Sequence, residues 1–322
     1  MTIMSDSPAF EQNIVALIWD FDKTLITGYM QAPLFKKLNV DSAQFWGEVR
    51  QLGDYYKAQG IQVNPDSIYL NHLLTYIRSG PLKGLNNKTI KDLGSELEFY
   101  PGLPTFFPHI QEMIAKDTEF SKYGIKVEHY IVSTGFAAMI RGCDLVEHVS
   151  GIWGCEFIED PALPGFTNQP FPTESKGTIT QIGTALDNTS KTRALFEINK
   201  GASHYDHIDV NSKVNSDNRR VPFENMIYIA DGPSDVPAFS IVNQYGGRTY
   251  AIYPPKDQAA FRQVDTLRQD GRINMFGEAN YEEGSPTYMW LMDHTRQIAE
   301  RIVREREDII RRSASQPPKH LA

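Results

Sequence analysis

The stretch that decides the fold runs from residue 14 to residue 25 and reads IVALIWDFDKTL. Its first six residues are apolar without alternation, which is typical of a strand buried on both faces of a parallel sheet. The run ends at Asp20 and Asp22, whose i, i+2 spacing projects both carboxylates the same way. Burying two like charges is costly unless a cation neutralises them, and Mg²⁺ is a hard ion that seeks oxygen ligands. An isolated pair of this kind is also compatible with a polar strand end or a helix cap.

Three further runs have the character of buried strands. They cover residues 127–133, 226–230 and 249–253, and the first two end in small or acidic polar turns, as the run at 14–19 does. Short buried strands separated by helical patterns predict an α/β fold, a doubly wound parallel sheet with crossover helices. Ligands of such sheets bind at the carboxyl ends of the strands, where these turns lie.

The 322 residues suggest about two domains. We predict a core made of residues 1–28 and 100–255. Between its parts, residues 29–99 show apolar residues at helical spacing and are predicted to form a helical cap. Residues 256–322 are predicted as a C-terminal extension that ends in an amphipathic helix, with Ser285 as its N-cap and Pro286 in its first turn. Residues 153–158 and 177–182 have strand character and suggest a β-excursion near the site.

The composition excludes several classes of protein. Hydrophobic residues make up 41% of the chain, which excludes a disordered protein, and the net charge of −8 argues against a nucleic-acid partner. Two cysteines do not make a disulfide framework. No stretch approaches the roughly 20 apolar residues of a membrane helix, and residues 1–13 contain no signal-like apolar core. We therefore expect a soluble cytoplasmic protein without a membrane partner, and the C-terminal helix offers a face through which a homo-oligomer could form.

Two more polar turns carry candidate chemistry. Ser133, Thr134 and Gly135 follow the second buried strand, and free backbone N–H groups at the start of a helix over 136–140 could hold a phosphate. Asp231 and Asp235 follow the third strand, and the Gly-Pro between them forces a turn that brings the two acids together. An ordinary serine cap and an ordinary acidic turn are the plain structural alternatives.

Taken together, these motifs resemble the haloacid-dehalogenase superfamily, specifically its phosphatase branch. The order Asp-x-Asp-x-Thr, strand-end Ser, Lys and diacid turn covers roughly residues 12–28 and 100–255. The resemblance implies a Rossmann-like core with Asp20 as nucleophile and Asp22 as general acid and base. It implies further that the phosphate is bound by Ser133, Thr134, Gly135 and a lysine, and that Mg²⁺ is held by Asp20, Asp22, Asp231 and Asp235.

The lysine of the pattern is expected at a helix start shortly before the diacid strand. Lys191 fits best, because Asn188-Thr189-Ser190 supplies caps for a helix that runs to about residue 198. Lys176, which precedes a strand-like stretch, and Lys200, which ends the helix, are the competitors. Ala230 stands where members of the family often carry glycine, a small change.

The expected function is a Mg²⁺-dependent phosphatase that hydrolyses a small phosphorylated metabolite through an aspartyl phosphate. A phosphotransferase or phosphomutase on the same scaffold and a binding module without catalysis are the alternatives. The helical cap makes the phosphoserine-phosphatase-like group the nearest resemblance, but the acidic residue that this group uses to hold an amino group is missing from residues 25–31. The His-Tyr-Asp-His string at His204 and His207 could hold a second metal, but a solvated loop explains it better, because no third ligand is fixed nearby.

Overall fold

A computed structural model of the chain describes residues 11–202, 204–205 and 208–315. The expectations for the first ten residues, for His207 and for residues 316–322 lie outside these ranges. No helix within them is both long and apolar enough to cross a membrane.

Seven strands of the described residues form one sheet in the order β4-β3-β2-β1-β5-β6-β7. All neighbours are parallel except β4, which pairs antiparallel with β3. The expected α/β class, with a mostly parallel sheet, is confirmed. The strands are β1 (Ile14–Trp19), β2 (Lys126–Phe136), β3 (Val149–Ile158), β4 (Gln181–Thr184), β5 (Met226–Ala230), β6 (Arg248–Tyr253) and β7 (Met275–Glu278).

Strand β1 lies at the centre because all six of its side chains are apolar and can be buried on both faces of the sheet. Trp19 ends the strand, and its ring stacks on Phe107 at a centroid distance of 5.1 Å. Helices connect and cover the strands. They are α1 (Gln31–Lys37), α2 (Ser42–Lys57), α3 (Ile68–Ser79), α4 (Asn87–Asp92), α5 (Phe106–Ala115), α6 (Thr118–Lys122), α7 (Ala137–Ile140), α8 (Lys191–Lys200), α9 (Val236–Gln244), α10 (Gln258–Gln269) and α11 (Pro286–Ser315).

Helices α1 to α4 lie between β1 and β2, in the segment predicted as a helical cap. The two chain crossings into this segment are neighbours, since the N–H of Thr27 donates to the carbonyl of Glu98 at 2.9 Å. The segment packs on α7, where a Cβ added to Gly142 would lie 1.7 Å from the carbonyl oxygen of Lys91. The boundaries proposed for the domains remain a prediction.

Three local expectations differ from the structure. Strand β2 runs three residues beyond Ser133, to Phe136, so the predicted helix begins only at Ala137 and has four residues. The second strand of the β-excursion covers Gln181–Thr184 rather than 177–182. The C-terminal extension contributes β7, an edge strand that the sequence did not suggest.

The C-terminal helix begins at Pro286 as expected, and Ser285 accepts a hydrogen bond from the N–H of Tyr288 at 3.1 Å. Its predicted apolar stripe is buried at Leu291, Ile298 and Ile302, whereas Ile309 is 56% exposed because the helix has run past the core there.

Candidate active site

Asp20 is the first residue after β1 and is held in line with the sheet. Its N–H donates to the carbonyl of Ile229 on β5 at 2.8 Å, so the backbone continues the strand pairing for one residue. The Asp20 side chain is 8% exposed, and its Oδ1 lies 2.6 Å from Nζ of Lys191. The structure thus brings the predicted nucleophile against the lysine that the sequence favoured.

Lys191 reaches two carboxylates at once. Its Nζ lies 2.6 Å from Oδ1 of Asp235 as well as from Asp20, and its side chain is 1% exposed. Burial opposes its charged form, but the two carboxylates raise the pKa of Lys191 above its usual value, so the ammonium stays charged. Lys191 is the first residue of helix α8, so its backbone position is fixed by the helix. The N–H of the preceding residue, Ser190, donates to the carboxylate of Asp187.

Asp235 is held by two residues of its own strand and turn. The hydroxyl of Tyr228 donates to its Oδ1 at 2.6 Å, and Ser234 donates to its Oδ2 at 2.8 Å. Tyr228 thus belongs to the candidate site, and sequence reasoning missed it. In the sequence, Tyr228 looks like an ordinary buried residue of the apolar run 226–230. That its hydroxyl faces the acids is visible only in the structure.

The carboxylates of Asp20, Asp231 and Asp235 converge on one point, since one oxygen of each lies within 4.8 Å of the others. Oxygens around a single Mg²⁺ at about 2.1 Å lie roughly 3 to 4 Å apart, so the three oxygens are close to the spacing of a shared ion. The donors are all oxygens, which is the set that Mg²⁺ prefers. The residues present therefore fit the expected metal.

Burial and mutual repulsion disfavour the ionised form of the clustered acids. Burial raises the pKa of Asp20, which Lys191 opposes, and burial with the charge of Asp20 raises that of Asp231. The pKa of Asp22 rises to about 8 through burial and the nearby charge of Asp20. The single positive charge of Lys191 does not balance the negative charges of four acids. A divalent cation bound beside it would supply most of the missing positive charge.

Asp22 lies beside this group rather than in it. Its carboxylate is not one of the three that share the metal-compatible point, and its Oδ1 accepts a hydrogen bond from the N–H of Met30 at 3.0 Å. No lysine or arginine of the described residues lies within 4.0 Å of its carboxylate oxygens, unlike those of Asp20 and Asp235. Its role as a metal ligand stays a prediction, and its position suits proton transfer.

In the predicted phosphate turn, two of the backbone N–H groups already have hydrogen-bond acceptors within the protein. Ser133 is 1% exposed, and its Oγ accepts a hydrogen bond from the N–H of Gly135 at 3.0 Å. The next N–H, of Phe136, points to Sδ of Met30 at 2.9 Å. The sequence predicted that these two N–H groups lie at an open helix start. In the structure they belong to the irregular end of strand β2 instead.

The competing lysines lie elsewhere. Nζ of Lys200 donates to backbone carbonyls of the loop at Val210 and Ser212, and Lys176 is exposed beside Glu174. His204 of the proposed second metal site is exposed and belongs to no metal-compatible group among the described residues.

Comparisons with known proteins place the chain beside one curated relative. It is 41% identical over 286 residues to an uncharacterized protein of Borreliella burgdorferi, covering 88% of this chain and 96% of that protein. No family model matches the chain.

Solved structures with a similar fold share little sequence with the chain. A haloacid-dehalogenase family hydrolase from Salmonella enterica serovar Typhi has 15% identity and a TM-score of 0.49, with 84% of this chain and 69% of that one covered. A probable phosphoserine phosphatase from Vibrio cholerae has 13% identity and a TM-score of 0.48, with 91% and 68% covered. A phosphoserine phosphatase in apo form has 12% identity and a TM-score of 0.45, with 81% and 92% covered.

Proposed function

We propose that this chain, which belongs to the same family as the uncharacterized Borreliella burgdorferi protein, is a Mg²⁺-dependent phosphatase that hydrolyses a small phosphate monoester. The observation that carries the proposal is the Asp20–Lys191–Asp235 bridge, with both contacts at 2.6 Å. Beside it, Asp231 completes a metal-compatible group of three carboxylates at the carboxyl ends of β1 and β5.

The nucleophile in this proposal is Asp20. Its carboxylate is fixed by Lys191 on one oxygen and by the hydroxyl of Thr24 at 3.4 Å on the other, so it needs little reorientation to attack phosphorus. Attack forms an aspartyl phosphate on Asp20 and expels the alcohol oxygen. The ammonium of Lys191 offsets negative charge that develops on the phosphoryl oxygens.

The proton in this proposal is carried by Asp22. Its carboxylate has no cationic partner within 4.0 Å among the described residues, unlike that of Asp20, so it can gain and lose a proton more easily than Asp20. Asp22 donates a proton to the leaving oxygen and then takes one from the water that attacks the intermediate. A halide leaving group would need no such donor, which favours phosphate esters over halogenated acids.

The metal would be held by Asp20, Asp231 and Asp235, with Asp22 as a further predicted ligand. When bound, Mg²⁺ supplies positive charge that lets a phosphate dianion approach a cluster of carboxylates. The hydrogen bond from Tyr228 to Asp235 keeps one ligand in place while substrate binds.

The proposed cap is positioned to exclude water. The hydroxyl of Tyr69 on α3 donates to the carbonyl of Thr134 at 2.5 Å, which ties the helical segment to the predicted phosphate turn. A closed segment at this place would keep bulk water from the aspartyl phosphate until the alcohol has left.

The test is phosphate release from a panel of phosphorylated metabolites and p-nitrophenyl phosphate, with and without Mg²⁺. The Asp20→Asn variant is the matched control, because asparagine keeps the size of the side chain and cannot form an acyl phosphate. We expect turnover by the wild type with Mg²⁺, none after exhaustive chelation, and none by Asp20→Asn. Turnover by Asp20→Asn at the wild-type rate would contradict the assignment. An added alcohol that captures the phosphoryl group in place of water would instead indicate a phosphotransferase.

A further inference from the structure

Lys23 and Tyr29 form a pair at the point where the helical segment leaves the loop that carries Asp20 and Asp22. Nζ of Lys23 donates to the hydroxyl of Tyr29 at 2.7 Å. The loop closes on itself through the N–H of Lys23, which donates to the carbonyl of Gly28 at 3.1 Å. Since Met30, the next residue, donates to the Asp22 carboxylate, the pair lies beside the predicted proton donor.

The groups that this pair can present to a ligand are hydrogen-bond donors. The ammonium of Lys23 has three N–H donors, of which Tyr29 takes one. The hydroxyl of Tyr29 accepts that bond and keeps its own proton to donate. Within the described part of the chain, no carboxylate oxygen lies within 4.0 Å of Nζ of Lys23, so its charge has no close partner of opposite sign.

The backbone of Lys23 is in a conformation that lysine does not favour. Its φ angle is +58°, in the left-handed region that glycine adopts freely and that costs free energy for residues with a Cβ. Glycine at this position would remove the ammonium without adding backbone strain.

A row of aromatic rings connects the pair to the predicted phosphate turn. Tyr29 lies 6.1 Å from Trp46, and Trp46 lies 5.7 Å from Tyr69, measured between ring centroids. Tyr69 in turn donates to the carbonyl of Thr134. The pair and the predicted phosphate turn therefore border the same group of aromatic rings.

We propose that Lys23 and Tyr29 select a phosphate monoester whose alcohol half carries a carboxylate. This inference rests on the proposed function and names the substrate class of the same site. A carboxylate accepts from the ammonium and from the tyrosine hydroxyl together, in charge-assisted hydrogen bonds. One ammonium balances one negative charge, so a carboxylate fits better than a second phosphate dianion. An ammonium group at the same place would be repelled.

The experiment compares three short two-carbon esters that end in different polar groups. They are 2-phosphoglycolate, 2-hydroxyethyl phosphate and phosphoethanolamine, which carry a carboxylate, a hydroxyl and an ammonium. We expect kcat/KM to fall in that order. Because a charge-assisted hydrogen bond is stronger than a neutral one, we expect kcat/KM for 2-phosphoglycolate to exceed that for 2-hydroxyethyl phosphate by about tenfold or more.

The Lys23→Gly variant removes the ammonium and relieves the left-handed strain at the same time. We expect the preference for 2-phosphoglycolate to fall about tenfold in Lys23→Gly and by less in Tyr29→Phe, while the melting temperature of Lys23→Gly does not fall. The matched control is Lys256→Gly, because Lys256 also has a positive φ, +65°, and is exposed and far along the chain. That variant should keep the wild-type preference.

The outcomes separate this inference from the proposed function. A wild type that cleaves neither p-nitrophenyl phosphate nor any ester faster than Asp20→Asn contradicts the proposed function and with it this inference. A wild type that cleaves p-nitrophenyl phosphate but treats the three esters alike, including cleaving none of them, contradicts the inference alone. An unchanged preference in Lys23→Gly does the same.

Discussion

At the scale of single residues, the site depends on buried polar groups whose partners are fixed. Lys191 on α8 holds both Asp20 and Asp235, and Tyr228 on β5 also holds Asp235. Removing one partner of such a group leaves a buried charge uncompensated, which is more costly than losing an exposed ion pair. The same logic applies away from the site at His129, which is fully buried under β1.

His129 on β2 is held as a neutral ring. Nε1 of Trp19 donates to its Nδ1 at 3.1 Å, which requires that nitrogen to be unprotonated, so its Nε2–H donates to the carbonyl of Phe107 at 3.3 Å. Burial lowers the pKa of His129 from 6.5 to about 3. Protonation would put a second N–H against the donor of Trp19.

The pH dependence of stability follows from this shift. The unfolded chain takes up a proton on His129 below about pH 6.5, while the folded protein does not until about pH 3, so His129 makes the folded state less stable as pH falls. From pH 7.5 to pH 5 the loss is about 2 kcal/mol. The free energy by which His129→Asn destabilises the protein should therefore shrink by about that amount over this range, in urea unfolding. A cost that is independent of pH would show that the ring is charged in the folded state.

At the scale of elements, the helical segment packs on the core by close backbone contact. A Cβ on Gly142 would lie 1.7 Å from the carbonyl oxygen of Lys91, and one on Gly94 would lie 2.3 Å from that of Met139. Such approaches allow no side chain. They join α4 and the short 3-10 helix that follows it, Leu93–Glu96, to α7, directly beyond the predicted phosphate turn.

Gly142→Ala should destabilise the protein by about 2–3 kcal/mol, because overpacking against backbone cannot be relieved by a rotamer change. The matched control is Gly53→Ala in the exposed part of α2, where nothing lies within 4 Å of the added Cβ. Alanine in that helix should stabilise by about 0.5–1 kcal/mol. Chemical unfolding measures both, and a Gly142→Ala cost below that of ordinary surface changes would contradict the close packing of the segment.

The elements that the sequence predicted well are those with strong, continuous burial. Residues 14–19 and 226–230 appear as β1 and β5 with the predicted bounds. The four residues of β7 escaped notice because a short edge strand buries little surface and carries no apolar run. The extra residues of β2 beyond Ser133 were missed because Ser-Thr-Gly is more typical of a turn, and the neighbouring β3 overrides that preference.

The site itself was predictable only where its chemistry is local in sequence. Asp20 and Asp22 follow from one stretch, and Lys191 was selected by its position at a helix start. The contacts of Tyr228 and Tyr69 were missed because they join residues whose proximity depends on the strand order or on the position of the helical segment. Tyr281, from the C-terminal extension, likewise donates to the carbonyl of Thr24 at 2.6 Å over 257 residues of sequence.

At the scale of the whole molecule, the proposed metal binding would be coupled to stability. The metal-compatible acids come from the ends of β1 and β5 and from the turn after β5, so an ion bound there links segments more than 200 residues apart. A ligand that binds only the folded state stabilises it by about 2.7 kcal/mol at one hundred times its Kd.

Mg²⁺ should therefore raise the melting temperature of the wild type in a concentration-dependent way. Asp231→Asn removes one ligand charge while Lys191 remains bound to the other two acids, so its melting temperature should respond much less to Mg²⁺. Asp257→Asn, an exposed helix-cap acid on α10, is the control and should respond as the wild type does. Equal responses of the wild type and Asp231→Asn in a thermal shift measurement would place the metal elsewhere.

The central claim is that Asp20 becomes phosphorylated during turnover. The measurement that tests it most directly is to quench the protein during steady turnover of p-nitrophenyl phosphate with Mg²⁺, reduce the acyl phosphate with borohydride, and map the modified residue by peptide mass spectrometry. We predict that the peptide containing residues 14–25 carries the modification at Asp20, and that omitting Mg²⁺ abolishes it. Modification at another residue, or steady phosphate release with Asp20 never modified, would contradict the account.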